Sequence, residues 1–401
     1  MGKWKYYTPE GVSDILPEDC AKKREIERKL RTLFSLSGYS EIETPGLEFY
    51  DVYASGEGFA PQEGCFKFFD HQGRILSLRY DGTIPSVRVA STLMKESEPP
   101  FRLSYIGNMY RYNETGGGKQ REFTQAGIEL MGPNNSSADT QVIATAIDSA
   151  LVCGISDLQV SLGNVEFFRG LTEEWNLQSD SVKLLLKFID GKETVALEDI
   201  SNELGLDDTA KTLLLKMTSS YGTFDLIEEM KSLVSNDRSL KALINLKEVL
   251  EILSDMDLLK YVSLDLGMLQ SLDYYTGIIF KGFTYGIGFP LFSGGRYDNV
   301  ASEFGRNLPA TGFSIGINFV MNALRIQNKE TSDSLSRVIV GYDEKSRKKA
   351  FDFAKGKRME NIRTELDCSG LTFEELKNYA DLAGISEIFY IDEQGSIKSN
   401  G

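Results

Sequence analysis

The chain has 401 residues, of which 41% are hydrophobic and 26% are charged, and its formal net charge at pH 7 is −15. This length predicts two or three structural units of a globular protein, and the lack of any apolar run of about 18 residues argues against a membrane span. The negative charge disfavours loose binding to polyanions such as tRNA or DNA, which would require a local basic patch.

Cysteine and histidine usage narrows the expected chemistry. The cysteines are scattered, without the spacing of a disulfide framework or a metal site, at Cys20, Cys65, Cys153 and Cys368, which fits a reducing compartment. The opening stretch, MGKWKYYTPE, has no apolar signal region, so we expect a cytoplasmic protein. The single histidine, His71, lies in the turn-like stretch DHQGR and cannot by itself build a histidine-ligated metal site, so we predict no metal.

The first predicted elements are a helix, a hairpin and a second helix. The first helix begins near Pro17 and ends at Gly38, since proline suits a first helical turn and glycine suits a helix end. The stretch FKFFDHQGRILSLRYDGT predicts a hairpin with strands near 66–70 and 74–80. The next helix is expected after Pro85, where apolar residues recur at helical spacing.

Strands and helices continue to alternate beyond this point. RLSYIGNMYRY and REFTQAGIELMG predict two strands joined by the loop NETGGGKQ, and residues 139–152 predict a helix before the strand LQVSLG. From about 166 to 260 leucines recur at helical spacing and strand signals vanish, which indicates a helical insertion. Strands then resume in LDYYTGIIFKGFT and GIGFPLFSGGRYD. Together these elements predict an α+β fold with one large, mostly antiparallel sheet flanked by helices.

A polar linker at 326–336 separates two expected domains. Residues 1–325 form the larger one, and 337–401 predict a small α/β domain with three strands, RVIVGY, NIRTELD and EIFYID, alternating with two helices. Residues 331–401 hold 11 Lys and Arg against 13 Asp and Glu, a net charge of −2. This tail therefore lacks the basic excess expected of a nucleic-acid-binding domain.

Polar residues cluster on the predicted strands of the larger domain. They are Arg79, Asp81 and Thr83, then Arg111, Arg121, Gln125 and Glu129, then Asp273, Tyr274 and Tyr275, and finally Arg296, Tyr297 and Asp298. Gln125 and Glu129 are four residues apart and so point to the same face of a strand. Carboxylates, an amide and tyrosines on one face suit a small cationic or zwitterionic ligand. The alternative is that they form the solvated side of a half-covered sheet, and alternation alone does not decide between the two.

The same stretches carry a resemblance to a known family. LRYDGTIPSVRVA, YIGNMYRYNETGGGKQREFTQAGIELMG, LDYYTG, SGGRYD and TGFSIGI resemble, in order, motifs of the histidyl-tRNA synthetase catalytic domain, over residues 1 to about 325. The resemblance implies the class II synthetase sheet, a homodimer and a helical insertion late in the domain. It also implies histidine-binding roles for Asp81, Thr83, Arg111, Gln125, Glu129, Tyr274, Tyr275 and Tyr297.

The nucleotide half of the site departs from the synthetase pattern. In that pattern an arginine and a glutamate two residues later bind ATP; Arg111 is kept, but the glutamate position is Asn113. Arginine positions of the family align with Lys119, Gln270 and Phe319, and no residue from Thr311 to Leu324 is charged. Because adenylation builds negative charge that positioned cations stabilise, we expect no catalytic residues and no cofactor.

A chain that keeps histidine recognition but has lost adenylation resembles a related family, the regulatory subunits of ATP phosphoribosyltransferase. These subunits act in the first step of histidine biosynthesis. This resemblance implies a short-form catalytic subunit as partner in a hetero-octamer, with histidine as the feedback ligand and no tRNA. Three alternatives remain open at this stage. They are a divergent histidyl-tRNA synthetase, a ligase-like enzyme that activates another amino acid, and a nucleic-acid-binding accessory protein on the same fold.

Overall fold

The computed structural model describes residues 3–54, 62–112, 120–269, 274–329 and 337–400. The chain divides into two compact units, Met1–Glu330 and Thr331–Gly401. In the described ranges, no helix is both long enough and apolar enough to cross a membrane.

Helices and strands are numbered in chain order. The helices are α1 (Pro17–Leu36), α2 (Asp51–Ala54), α3 (Thr83–Thr92), α4 (Ser136–Val152), α5 (Val165–Glu174), α6 (Ser179–Asp190), α7 (Thr194–Glu203), α8 (Asp208–Ser219), α9 (Phe224–Lys231), α10 (Asp237–Asp255), α11 (Ile317–Ile326), α12 (Arg347–Met359) and α13 (Phe373–Ala383). The strands are β1 (Ser40–Glu41), β2 (Leu47–Phe49), β3 (Lys67–Phe69), β4 (Ile75–Leu78), β5 (Phe101–Tyr110), β6 (Glu122–Met131), β7 (Leu158–Asn164), β8 (Val262–Leu264), β9 (Ile278–Thr284), β10 (Phe292–Arg296), β11 (Ala310–Gly316), β12 (Arg337–Tyr342), β13 (Arg363–Leu366), β14 (Glu387–Ile391) and β15 (Ile397–Ser399).

An eight-stranded sheet forms the centre of the first unit. Its order is β1-β5-β6-β11-β10-β9-β7-β8, and every pairing is antiparallel except the two outer ones, β1 with β5 and β7 with β8. The predicted α+β class and the predicted antiparallel sheet are therefore confirmed. β2, β4 and β3 form a separate three-stranded sheet, in which β3 and β4 are the predicted hairpin.

The first helix shows how sequence signals position an element against this sheet. A proline lies at the first turn of α1, and the helix buries Ile26, Leu30 and Phe34. The Phe34 ring packs edge-on against Phe313 of β11, with the ring centroids 6.1 Å apart. The helix ends just before Gly38, whose φ of +83° is a backbone conformation that glycine adopts without strain.

Leucine-rich helices occupy the stretch that the sequence marks as a change of pattern. Helices α5 to α10 run from Val165 to Asp255, and their buried leucines join the core of the main sheet. Two predicted helix starts were a few residues late, because α3 already begins at Thr83 and α4 at Ser136. β8 was not predicted, because three residues are too short to show alternation.

The second unit is a small α/β sheet with strand order β13-β12-β14-β15. β12 pairs in parallel with both β13 and β14, as expected when helices connect consecutive strands. The prediction of three strands was wrong by one, since β15 adds a fourth, antiparallel strand beside β14. β15 has three residues, all of them exposed, and a stretch this short shows no strand periodicity in the sequence.

Candidate ligand site on the central sheet

Strand register creates a recess on the sheet beside Glu129. Glu129 of β6 lies opposite Gly312 of β11, and Gly312 lies opposite Gly295 of β10. A Cβ atom at Gly312 would be 1.8 Å from the Oε2 atom of Glu129, and one at Gly295 would be 2.8 Å from the ring of Tyr275. The two glycines thus provide the space that a carboxylate and a phenol ring occupy.

Adding a single methyl group tests this recess. Gly312→Ala is expected to displace the Glu129 carboxylate and to weaken ligand binding at this site by about tenfold or more. Ligand titration calorimetry measures the effect, and Gly46→Ala, where a Cβ would meet nothing within 4 Å, is the matched control. Unchanged affinity in Gly312→Ala would show that the carboxylate position does not matter for binding.

Glu129 is a fully buried carboxyl group. Its exposure is 0%, and the Tyr297 hydroxyl donates a hydrogen bond to its Oε2 atom. Its Oε1 atom has no hydrogen-bond partner among the described residues. Burial raises the pKa of Glu129 from 4.5 to about 8, although hydroxyl donors, Tyr297 first, act in the opposite direction. A buried acceptor of this kind calls for a donor from a ligand.

Asp81 and Thr83 lie at the start of α3, close enough to act on Glu129. The Oδ1 atom of Asp81 accepts a hydrogen bond from the backbone N–H of Ile84 at 3.1 Å. Burial raises the pKa of Asp81 to about 6, while the backbone donors of α3 and the charge of Arg111 oppose that shift. The two acidic groups therefore make this end of the site suitable for a cation.

Tyr105 belongs to the same cluster and was missed by the sequence analysis. Its hydroxyl lies 3.5 Å from the Thr83 Oγ1 atom, and its ring occupies space that Cβ atoms at Gly82 and Gly127 would fill. Gly127 is its direct partner across β5 and β6. The signal was therefore a tyrosine paired with a glycine on the neighbouring strand, which requires knowledge of the register.

Three further tyrosines pack together at the edge of the recess. The Tyr274 and Tyr297 rings are stacked, with centroids 5.5 Å apart and planes 24° apart, while Tyr274 meets Tyr275 edge-on at 5.0 Å. Burial raises the pKa of all three hydroxyls. Each therefore stays neutral near pH 7 and can donate a hydrogen bond.

A cavity of about 590 Å³ adjoins this buried cluster. Three of the predicted site residues line this cavity, namely Arg111, Gln125 and Tyr275. The guanidinium of Arg111 lies over the rings of Tyr80 and Phe123, at 4.7 and 5.0 Å. The buried Oε1 atom of Gln125 has no hydrogen-bond partner in the described part of the chain.

Other predicted polar residues have structural roles. Arg296 is 5% exposed and pairs with Asp139 at 2.9 Å and with Asp298 at 3.0 Å. Arg79 donates to backbone oxygens, including that of Thr44 at 2.7 Å, and Arg121 donates to the backbone oxygen of residue 10 at 3.3 Å. The solvated-face alternative is wrong for the buried members of the predicted set, while these arginines mainly hold the protein together.

Only some of the positions that align with the nucleotide half of the synthetase site lie among the described residues. Phe319 lines the cavity, and its ring stacks on Phe289 with centroids 6.1 Å apart. Asn113, Lys119, Gln270 and Asp273 lie outside the described residues. Among the described ranges, no three His, Cys, Asp or Glu side chains are grouped so that they could hold a metal ion.

Comparison with known proteins gives a consistent assignment. Residues 11–320 match the profile of the histidyl-tRNA synthetase family. The ATP phosphoribosyltransferase regulatory subunit of Acetivibrio thermocellus is 48% identical, covering 99% of this chain and 95% of the relative. The subunit of the same name from Ruminiclostridium cellulolyticum is 44% identical with the same coverage.

Solved structures agree with the sequence comparisons. The crystal structure of an ATP phosphoribosyltransferase regulatory subunit/histidyl-tRNA synthetase from Bacillus halodurans matches with a TM-score of 0.87 at 30% identity, covering 96% of this chain and 98% of the other. Histidyl-tRNA synthetase from Nostoc sp. PCC 7120 matches with a TM-score of 0.82 at 18% identity, over 98% and 96% of the two chains, which shows a shared fold. The chain therefore belongs to the family of ATP phosphoribosyltransferase regulatory subunits, within the wider histidyl-tRNA synthetase family.

Proposed function

We propose that this chain is a non-catalytic regulatory subunit that binds L-histidine and controls a short-form ATP phosphoribosyltransferase catalytic subunit in the cytoplasm. The family assignment supports the regulatory role. The observation that supports L-histidine as the ligand is the burial of the Glu129 carboxyl group, whose Oε1 atom has no hydrogen-bond partner among the described residues. An imidazole N–H is a donor that suits this acceptor, and the rest of histidine supplies an ammonium and a carboxylate.

Three groups of site residues would each bind a different part of histidine. Asp81 and Thr83 would take the α-ammonium group, because they place a carboxylate and a hydroxyl at the start of α3. Glu129 and the tyrosines Tyr274, Tyr275 and Tyr297 would hold the imidazole, which suits a pocket of neutral rings around one acidic group. Arg111 and Gln125, on the cavity wall, would take the α-carboxylate.

The cavity wall gives little support to ATP chemistry. Among its described lining residues, the charged side chains are Arg111 and Lys281, and aromatic rings, including the Phe289–Phe319 stack, form much of the rest. Adenylation builds negative charge on phosphate, and losing one preorganised donor typically costs about 3–4 kcal/mol of barrier. We therefore propose that aminoacylation is lost and that the chain does not act on tRNA.

Regulation requires histidine to bind two arrangements of the complex unequally. A ligand shifts such an equilibrium only by its difference in affinity, typically about 1–3 kcal/mol. We propose that this chain forms a homodimer within a hetero-octamer, and that histidine bound at Glu129 favours the less active arrangement of the catalytic partner.

Two assays on one preparation test the proposal. Calorimetric titration is expected to show saturable binding of L-histidine and none of L-glutamine or L-phenylalanine, because neither carries an N–H donor on a flat, five-membered ring. Histidine-dependent exchange between ATP and pyrophosphate is expected to be absent. Exchange activity would instead identify a working histidyl-tRNA synthetase, and absence of histidine binding would end the ligand assignment.

A further inference from the structure

The Glu129 carboxyl group lacks a basic partner in the described part of the chain. Among the described residues no lysine or arginine forms an ion pair with it, and the side chains that act on it most are Tyr297, Thr83, Asp81 and Tyr105. The phenols that its charge reaches in addition are those of Tyr39, Tyr274 and Tyr275. All of these neighbours are neutral hydroxyl groups or acids. Because the carboxyl group is also buried, the free site favours its neutral, protonated form.

Asp81 gives the site a second acidic group with better support for its charge. The backbone N–H of Ile84 donates a hydrogen bond to Asp81 at 3.1 Å, and the charge of Arg111 favours its ionised form. Two carboxyl groups that repel each other do not ionise together readily, so the one with the weaker support keeps its proton. The pKa of Asp81 is about 6 and that of Glu129 about 8. At pH 7 the free site therefore holds one negative charge and one proton.

One oxygen of Glu129 is left to carry this proton. The Oε2 atom accepts a hydrogen bond from the Tyr297 hydroxyl, and that phenol is held by its stack with Tyr274. The Oε1 atom is buried and has no hydrogen-bond partner among the described residues. In its protonated form this oxygen is a donor, so it calls for a ligand atom with a lone pair.

An imidazole ring supplies such an atom. In the neutral ring one nitrogen carries a hydrogen and the other has a free lone pair, and the ordinary pKa of the ring, about 6.5, makes that nitrogen a fair base. Transfer of the proton breaks the O–H bond at Oε1 and forms one N–H bond on the ring, without any further reactant. It leaves a carboxylate against an imidazolium, and such a charge-assisted hydrogen bond is stronger than a neutral one.

We propose that Glu129 gives its proton to the ligand ring, so that the site holds histidine as the imidazolium and selects amino acids by the basicity of the ring. This inference rests on the proposed function, because it concerns histidine bound at Glu129. Tyr297 is a positioning residue, since its hydroxyl engages Oε2 and leaves Oε1 for the ligand. A ring of the same shape that is a weak base keeps the N–H donor but does not take the proton, and it therefore binds less tightly.

The analogue L-triazolylalanine separates the basicity of the ring from its shape. A nitrogen replaces one CH group of the imidazole, so the size and the N–H donor are kept while the ring becomes a much weaker base. Calorimetric titration of the full chain at pH 7 is expected to give an affinity at least about tenfold lower than that of L-histidine. A smaller difference would overturn this inference while histidine binding itself stands. If L-histidine does not bind at all, the proposed function fails as well.

Glu129→Gln tests whether this preference arises at the Glu129 carboxyl group. Glutamine has no proton to give, so histidine loses its advantage, and the two ligands are expected to bind this variant within about threefold of each other. Glu393→Gln, which changes an exposed carboxyl group of the second unit, is expected to keep the full preference. A larger ratio in Glu129→Gln would mean that the selection arises elsewhere, and the inference would be wrong.

NMR of histidine labelled with heavy nitrogen in its ring covers the case in which Glu129→Gln does not fold. At pH 7.5 the ring of free histidine is about nine-tenths neutral. The ring bound to the unmodified chain is expected to have both nitrogens protonated, as in imidazolium. A bound ring with one protonated and one bare nitrogen would rule out the transfer.

Discussion

Glu129→Gln is expected to weaken histidine binding about a hundredfold while the fold is retained. The change replaces a carboxyl group that can ionise against a cationic ligand by a neutral amide, and breaking a buried, charge-assisted hydrogen bond typically costs about 2–5 kcal/mol. A cost near 2.7 kcal/mol corresponds to the expected factor. Calorimetric titration at constant pH measures it, and Glu393→Gln, an exposed carboxyl group on the second unit, is the matched control.

The free energy of unfolding, measured over a range of pH, shows whether the Glu129→Gln variant stays folded. In the folded chain the pKa of Glu129 is about 8, above its ordinary value of 4.5. Between these values the folded state binds more protons than the unfolded state, so the contribution of Glu129 to stability is present at low pH and is lost as pH rises through 8. Glutamine does not ionise, so Glu129→Gln should gain stability relative to the unmodified chain at about pH 9. If Glu129→Gln lowered the free energy of unfolding more at high pH than at low pH, this account of the site would be contradicted.

Asp139→Asn is expected to reduce the free energy of unfolding by about 3–5 kcal/mol. Asp139 of α4 and Arg296 of β10 pair at 2.9 Å, with side-chain exposures of 3% and 6%. Asparagine keeps the size of the side chain but removes the charge, which leaves Arg296 buried with Asp298 as its remaining acidic partner among the described residues. Urea unfolding measures the loss.

An exposed ion pair supplies the comparison for this prediction. Lys345 and Glu393 lie 3.0 Å apart with side-chain exposures of 73% and 62%, and such pairs contribute about 0–1 kcal/mol. Lys345→Met should therefore leave the unfolding free energy nearly unchanged. Equal effects of Asp139→Asn and Lys345→Met would show that the buried pair is not a major source of stability.

Local sequence signals predicted the elements but not all of the site. The spacing of Gln125 and Glu129 predicted a shared face, and the Oε1 atom of each side chain is buried without a hydrogen-bond partner among the described residues. The need for Gly312 and Gly295 depends on which strands are neighbours, because both glycines make room for side chains on other elements. Strand neighbours are set by the packing of the whole sheet, which no single stretch encodes.

Long-range pairing also explains the residues that were misjudged. Arg296 was grouped with the polar residues of the predicted strands as a candidate for a ligand pocket, but it pairs with Asp139, which lies 157 residues away in the chain. Lys281 was not noted as a site residue, because one lysine in an apolar strand gives no local signal of a cavity. Its place opposite Ser293 of β10 and Ser161 of β7 depends on the register of three strands.

The most direct test of the regulatory account is the activity of a short-form ATP phosphoribosyltransferase catalytic subunit, measured with this chain over a range of histidine concentrations. The account predicts that the chain raises the activity, that histidine lowers it, and that Glu129→Gln shifts the inhibiting concentration upwards by about a hundredfold. The account would be contradicted if the activity did not change when the chain is added, or if the inhibiting histidine concentration were the same with Glu129→Gln as with the unmodified chain.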